Sequence, residues 1–323
     1  MKRLGAAIGL ILCLGCVAAS TADIRIAPVQ MIESQRDEKT LGQLVWRGGF
    51  AMSLADSRFG GLSALQVSAD GTRLVAVTDE GNWLRAELTY RDGDLAGIRN
   101  PEFAPIFDPN GNPLRGKKGD AESLAQVGPA SFVVGFERDH RLWRYDGSPD
   151  PFLAHAKPVP VPDRFAKLPG NNGIEAVTTL CDGRLFAIAE GSRTLRGQVE
   201  AWVQAASGGW NALTYPVVAG LRPTGATTLP DCDVLVLERS FSPIAGLEIR
   251  VMRLEAASLA AGAVLAPQEV AHLQSPVTMD NFEGISARRA DNGEVFVYLL
   301  SDNNFSSLQR TLLVMFRLAD ETR

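Results

Sequence analysis

Histidine and net positive charge are both scarce in this chain. Its 323 residues include 3 histidines, and 32 lysines and arginines stand against 37 aspartates and glutamates, a formal net charge of −5. Three histidines are too few for a transition-metal site built on several imidazoles. An acidic chain also lacks the basic surface with which proteins hold nucleic acid. The composition therefore argues against haem and multi-histidine metal proteins and against nucleic-acid binders.

Long hydrophobic runs are missing as well, apart from the first 22 residues. Two basic residues precede the apolar run of residues 4–14, which is too short to cross a bilayer and is followed by small residues. This pattern is typical of a signal peptide over residues 1–22, with cleavage after Ala22 or Ala19. We expect an exported mature chain, periplasmic or secreted, with no membrane span.

Cysteine is rare, and half of it lies in this leader. Of the 4 cysteines, Cys13 and Cys16 precede the expected cleavage site. The tripeptide ending at Cys16 resembles a lipobox, so a lipoprotein anchored through Cys16 is the alternative to soluble export. The mature chain keeps Cys181 and Cys232. In an oxidising compartment these two can form a disulfide, or they can remain two small buried thiols.

What the chain does have is a succession of short apolar runs with a period of two, bounded by Gly, Asp and Asn. Amphipathic helical segments are scarce, so the sequence predicts an all-β fold. The clearest strands are residues 74–77, 132–136, 185–188, 234–237, 295–300 and 312–318.

The strands fall into a repeated unit that begins with a small or acidic residue and ends in an acid. Units begin at Ser63, Glu122, Glu175, Thr224 and Glu283, at spacings of 59, 53, 49 and 59 residues. A period of about 50 residues with several strands per unit indicates a β-propeller. We expect a single propeller over residues 42–320, with about six four-stranded blades, after an N-terminal extension of residues 23–41. The segment 43–54 is expected to close the ring against the C-terminal strand.

Acidic side chains recur at two places in the unit. In a propeller blade, the start of the inner strand and the end of the second strand lie at the same end, so these acids should surround one mouth of the channel. Glu175 and Glu283 are the candidates to activate water. The candidate metal ligands are Glu122, Asp79, Glu137, Glu190, Glu238 and Asp302. The candidate substrate-binding residues are Arg138, Arg193, Arg239, Asn172 and Asn281.

A ring of like charges repels itself unless a cation or arginines neutralise it. Oxygen ligands without histidine suit a hard cation, and Ca²⁺ tolerates irregular geometry better than Mg²⁺. The three arginines can pair with the acids or bind an anionic substrate. The alternative is that the acids are solvated hairpin ends without chemistry. His140 can carry protons at the mouth or be a surface-loop histidine.

The two mature cysteines follow equivalent Thr-Thr-Leu triplets in consecutive units, in the turn between the first and second strands. Both turns should project on the face opposite the carboxylates. This placement predicts a disulfide between Cys181 and Cys232.

Several motifs resemble the family described as esterase-like activity of phytase. They are Asp120-Ala121-Glu122-Ser123-Leu124, Asn172-Gly173-Ile174-Glu175-Ala176, Leu237-Glu238-Arg239-Ser240-Phe241, Asp280-Asn281-Phe282-Glu283-Gly284-Ile285 and Ser301-Asp302-Asn303-Asn304-Phe305. The resemblance spans about residues 42–318. It implies an exported bacterial propeller, related by fold to calcium-dependent phytases, that hydrolyses phosphate or other esters. The fourth unit departs from the pattern because Thr224 replaces the acid.

Three functions follow from these features. The first is a Ca²⁺-assisted hydrolase of a small phosphorylated or other anionic ester, in which a carboxylate orients or deprotonates water. The second is a non-catalytic propeller that binds a ligand or partner in the cell envelope. The third is a calcium-dependent enzyme of the lactonase type, since six-bladed lactonases use a similar centre of Glu, Asn and Asp.

Overall fold

Each of the apolar period-two runs forms a strand in the computed structural model, which describes residues 24–35, 37–147, 150–191, 197–218, 220–244 and 246–319. The predicted signal peptide lies outside these residues. Within the described part of the chain, no helix is long and apolar enough to cross a membrane. Short 3₁₀ helices occupy Gly116–Lys118, Pro151–Leu153, Phe165–Lys167 and Ala256–Ser258.

The strands are, in chain order, β1 (Ile24–Pro28), β2 (Thr40–Leu41), β3 (Leu44–Leu54), β4 (Leu62–Val67), β5 (Arg73–Thr78), β6 (Asn82–Arg91), β7 (Asp94–Pro105), β8 (Ala121–Gly128), β9 (Ser131–Phe136), β10 (Arg141–Asp146), β11 (Lys157–Val159), β12 (Ile174–Thr179), β13 (Leu185–Ala189), β14 (Gln198–Gln204), β15 (Trp210–Pro216), β16 (Arg222–Thr228), β17 (Val234–Ser242), β18 (Gly246–Leu254), β19 (Gln268–Leu273), β20 (Asn281–Arg289), β21 (Val295–Asp302) and β22 (Thr311–Leu318).

These strands form five antiparallel sheets, the blades of a β-propeller. Blades 1 to 4 are the four-stranded meanders β4–β7, β8–β11, β12–β15 and β16–β19. Blade 5 combines β20, β21 and β22 with β3, and β1 and β2 pair with β3 at its outer side. The pairing expected between the segment 43–54 and the C-terminal strand is present, because β3 lies antiparallel to β22. That this pairing holds the ring closed stays a prediction.

The prediction of about six blades is wrong, because the structure has five. The number six comes from dividing the length of the mature chain by a period of about 50 residues. That division assumes that every residue belongs to a blade and that all blades have the same size. The N-terminal strands instead complete blade 5. In blade 1, β6 and β7 are 10 and 12 residues long, which also uses more chain than an average strand.

The inner strands β4, β8, β12, β16 and β20 line the channel, and each contacts the next around the ring. Every one of these five contacts includes a hydrogen bond made by a side chain. The bonds are Gln66 Nε2 to Leu124 O (3.0 Å), Ser123 Oγ to Ile174 O (2.9 Å), Thr178 Oγ1 with Thr228 Oγ1 (3.0 Å), Thr224 Oγ1 to Phe282 O (3.2 Å) and Val67 N to Ser286 Oγ (3.0 Å). Each contributes about 1 kcal/mol net, so polar contacts join the blades near the axis.

Apolar packing joins the blades farther from the axis. Between blades 1 and 2, the fully buried Trp83 stacks on Phe152 at 5.7 Å and meets Tyr145 edge-on at 5.3 Å. Between blades 5 and 1, Phe50 and Met315 pack in one buried cluster with Leu74. These aromatic side chains therefore serve the core between the blades.

Candidate functional site

The inner strands begin with the same irregularity in all five blades. Pairing between the first and second strand slips by one residue at Ser63, Glu122, Glu175, Thr224 and Glu283. Such a β-bulge turns one side chain out of the regular alternation. Because the five bulges are equivalent, their side chains point toward the same mouth, and Glu122, Glu175 and Glu283 interact electrostatically with one another.

A second set of acids comes from the residue that follows the second strand. The N–H groups of Asp79, Glu137 and Glu190 donate to the carbonyl oxygens of Gly61, Asp120 and Gly173, which are equivalent positions in blades 1, 2 and 3. In blade 5, Asp302 accepts from Leu62 N at 3.2 Å and from Asn304 N at 2.9 Å. The structure therefore brings four of the predicted acids to the mouth beside the three glutamates.

The prediction that Glu238 lies at this mouth is wrong. Glu238 pairs with Pro223, and so occupies the place that Phe136 and Ala189 take in blades 2 and 3. A shift of one residue moves a strand side chain to the opposite face. Glu238 is 1% exposed and accepts a hydrogen bond from Tyr215 Oη at 2.8 Å, between blades 3 and 4. Arg239 takes the mouth position instead.

The carboxylates form two groups that share one member. Oxygens of Asp120, Glu122 and Glu137 all lie within 4.8 Å of one another, and so do those of Glu137, Glu175 and Glu190. Sequence reasoning missed Asp120 as a site residue, although it opens the motif that contains Glu122. We call these five residues the carboxylate cluster.

Burial and mutual repulsion raise the pKa of the acids at this mouth. Desolvation, followed by neighbouring carboxylates, places the pKa of Glu122 and Glu175 well above the usual range. Desolvation is also the main cause at Glu137 and Asp79, each with a pKa of about 7. The mouth therefore concentrates acids whose ionised forms need a partner at neutral pH.

Arginines of blade 4 lie beside the carboxylate cluster and are paired with acids of the mouth. Arg239 Nη2 lies 3.0 Å from Glu283 Oε1, and Arg222 Nη1 lies 3.2 Å from Glu190 Oε2. Sequence reasoning missed Arg222, which occupies the position equivalent to Asp120, two residues before the bulge. On blade 2, Arg138 pairs with Asp120. Arg193 lies outside the described residues.

The two predicted amides hold charged groups. Asn281 Nδ2 donates to Glu283 Oε1 at 2.7 Å, and Asn172 Oδ1 accepts from Arg222 Nη1 at 2.9 Å. Glu283 is therefore held by an amide and a guanidinium together. These two contacts act against desolvation, and the pKa of Glu283 is about 7.

His140 is buried beside the carboxylate cluster, at 9% exposure, and is no surface-loop residue. Its Nε2 lies 3.1 Å from the carbonyl oxygen of Pro169, which can only accept, so the proton is on Nε2. Among the described residues, Nδ1 has no hydrogen-bond partner. A Cβ atom built on Gly173 would lie 2.8 Å from Nδ1 and 2.6 Å from Glu137 Cγ, which places the imidazole next to Glu137.

Below the mouth the channel is almost filled. A cavity of about 10 Å³ remains between Ser123, Glu175, Gly225 and Glu283, room for about one water molecule. The opposite mouth is neutral and is lined by threonines and glutamines, among them Thr179 and Gln126.

Cys181 and Cys232 are joined by a disulfide in the structure, with their Cα atoms 5.5 Å apart. Both follow the Thr-Thr ends of the inner strands β12 and β16, which line the neutral mouth. The disulfide thus links blades 3 and 4 on the face opposite the carboxylate cluster.

Comparison with known proteins gives one family match. The model of the phytase-like family, described as esterase-like activity of phytase, matches residues 57–305. No curated protein matches the chain.

Among solved structures, similar ones include three bacterial and fungal proteins. The PQQ-bound aldose sugar dehydrogenase of Streptomyces coelicolor is 11% identical, with 92% of this chain and 98% of that chain covered and a TM-score of 0.45. The α-L-arabinofuranosidase of Podospora anserina, in complex with cellotriose, is 12% identical, with 81% and 93% covered and a TM-score of 0.49. A protein of unknown function from Dyadobacter fermentans is 14% identical, with 91% of each chain covered and a TM-score of 0.43. At these identities and scores, none of the three indicates what this chain does.

Proposed function

The chain belongs to the phytase-like family, esterase-like activity of phytase, and from this premise we propose that it is a metal-assisted hydrolase of a phosphorylated or other anionic ester, acting at the acidic mouth. The observation that carries the proposal is the carboxylate cluster with arginines at its edge. Carboxylates that are ionised so close together repel one another unless a cation neutralises them. The same cation and the arginines would attract the negative charge of an anionic ester.

The donor set of the cluster fits Ca²⁺. Two groups of three carboxylates, each within 4.8 Å, supply only oxygen ligands, and no imidazole or thiolate takes part. Ca²⁺ accepts six to eight oxygens at about 2.3–2.6 Å in irregular geometry. The ion would be held by the five residues of the carboxylate cluster, Asp120, Glu122, Glu137, Glu175 and Glu190. Bound there, it would act as a Lewis acid that neutralises negative charge on the ester.

The protein's own residues supply the remaining requirements of ester hydrolysis. Arg222 and Arg239 lie at the edge of the carboxylate cluster, paired with Glu190 and Glu283, and their remaining N–H groups can donate to the anionic part of the ester. Glu283 is the candidate general base, because a carboxyl group with a pKa of about 7 can accept a proton from water at neutral pH. The contacts of Asn281 and Arg239 orient it.

The assay that tests this proposal compares phosphate monoesters and lactones as substrates of the purified mature chain, with Ca²⁺ and with chelator. We expect turnover of monoesters that depends on Ca²⁺ and falls at least a hundredfold in Glu283→Gln, the usual scale for loss of a general base. Glu255→Gln, an exposed acid outside the mouth, is the matched control. Turnover of lactones alone would indicate the lactonase-type alternative. A protein that binds no metal and hydrolyses neither class would indicate a binding propeller.

We place this activity outside the cytoplasm, in the periplasm or secreted. The leader-type composition of residues 1–22 supports export, and the disulfide between Cys181 and Cys232 suits an oxidising compartment.

A further inference from the structure

A second cavity opens on the same face as the carboxylate cluster, at the mouth end of blade 1. Its volume is about 470 Å³, within the usual range of small-ligand pockets, about 300–1,000 Å³. Pro105, Pro113, Leu114 and the ring of Phe305 contribute to its wall. It is a space on this face that can hold the organic part of a substrate, whereas the cavity below the mouth has room for about one water molecule.

Phe305 is held at this cavity in a costly conformation. Asn304 and Phe305 have φ angles of 47° and 51°, and the left-handed region is rare for a bulky residue. Their N–H groups donate to Asp302 Oδ1 at 2.9 Å and to Asn303 Oδ1 at 3.1 Å. The ring stays 48% exposed, so the conformation is not explained by burial in the core.

The cavity adjoins the acidic mouth through two consecutive glycines. A Cβ atom on Gly60 would lie 2.6 Å from Cδ1 of Phe305, and one on Gly61 would overlap the carboxylate of Asp79. The aromatic ring and a mouth acid thus flank the same short stretch of backbone. On the other side of the cavity, Pro113 and Leu114 begin a short segment that leads to Asp120 of the carboxylate cluster. Just before Asp120, Gly119 packs on Gly81.

The cavity carries little net charge. Arg58 at its edge is neutralised by Asp56, whose Oδ2 lies 2.6 Å from Nη2. The exposed Arg115 and Glu80 also border the cavity and have opposite charges. A neutral ring suits these walls better than a second phosphate group does, because the charges around the cavity cancel and leave no net positive charge for a further anion.

We propose that this cavity binds the leaving group of the ester and that this group is aromatic, so that the substrate is an aryl monoester and not a polyphosphorylated polyol. The ring lies against Phe305 while the anionic end points to the acidic mouth beside Asp79. This inference rests on the proposed function of the mouth.

Calorimetric binding of two phosphonates in the presence of Ca²⁺ tests the cavity without turnover. We expect phenylphosphonate to bind about tenfold more tightly than methylphosphonate, the scale of one good aromatic contact with its buried area. Phe305→Ala should abolish this preference. Leu308→Ala, in the same loop, 92% exposed and outside the cavity wall, should keep it.

Hydrolysis of phenyl and methyl phosphate separates this inference from the proposed function. A Phe305-dependent preference in binding without any hydrolysis would leave the aryl cavity standing and remove the hydrolase. Hydrolysis of both esters with equal kcat/KM, equal affinity for both phosphonates, a preference that survives in Phe305→Ala, or no phosphonate binding would overturn the aryl cavity.

Discussion

At one mouth of the channel the five inner strands begin, and at the other they end, so one ring of strands presents two different surfaces. Where the strands begin, Glu122, Glu175 and Glu283 stand at the bulges, and their negative charges repel one another. Where they end, the groups are uncharged and several hydrogen-bond to one another, as when Ser286 Oγ accepts from Val67 N. The neutral mouth thus favours stability, whereas the acidic mouth holds groups that need a ligand.

The largest effect is expected at the neutral mouth. Replacing both cysteines, Cys181→Ser with Cys232→Ser, should lower the free energy of unfolding by about 4 kcal/mol, since the bridge closes a loop of about 50 residues in the unfolded chain. Denaturant titration of the exported wild-type and double-variant proteins measures the change. Two free thiols per denatured, unreduced wild-type chain would show that the bridge does not form.

Calcium should produce the next largest effect, at the acidic mouth alone. A ligand that binds only the folded state stabilises it by about 2.7 kcal/mol at a hundredfold excess over Kd. Adding Ca²⁺ to chelator-treated protein should therefore raise Tm by several degrees. Glu137→Gln should remove most of this rise, because Glu137 belongs to both carboxylate groups, whereas Glu255→Gln should keep it. Equal melting curves with and without Ca²⁺ would contradict the metal site.

The metal-free acidic mouth should also make stability depend on pH. Folding raises the pKa of Glu137 to about 7, mainly by desolvation, so the folded chain binds more protons than the unfolded chain between about pH 4.3 and 7. The destabilisation is absent below that window, grows as the pH rises through it and is complete above it. Glu137→Gln should stabilise the metal-free protein at pH 8 by about 2 kcal/mol, less than the full shift in pKa gives because solvent at the mouth screens the charge, and should leave it nearly unchanged at pH 4. Chemical denaturation at the two pH values measures both; equal changes would show that Glu137 has an ordinary pKa in the folded chain.

Much of this architecture could be predicted from the sequence, because alternation and turn residues are local signals. The five unit starts fall at the five bulges, and the acids of blades 1, 2, 3 and 5 reach the mouth. What could not be predicted depends on register. Glu238 ends an acidic motif like the others, yet its strand runs on to Ser242 and pairs one residue out of step. Asp120 precedes β8 and Arg222 begins β16, and only the folded ring shows that both lie at the acidic mouth.

The smallest effect tests whether a buried hydrogen bond at the neutral mouth contributes to stability. Ser286 is 1% exposed, and its Oγ accepts from Val67 N across the contact between blades 5 and 1. Ser286→Ala leaves that buried N–H without its acceptor, which costs about 1–2 kcal/mol. Ser306 makes a bond of the same kind at the surface, where its Oγ accepts from Leu308 N at 3.2 Å. Since water can replace a lost acceptor there, Ser306→Ala should change the free energy of unfolding by less than about 0.5 kcal/mol. Denaturant titration of the two alanine variants gives the difference directly. Equal costs would mean that water reaches Val67 N, and the contrast between a neutral mouth joined by buried hydrogen bonds and a ligand-dependent acidic mouth would then not hold.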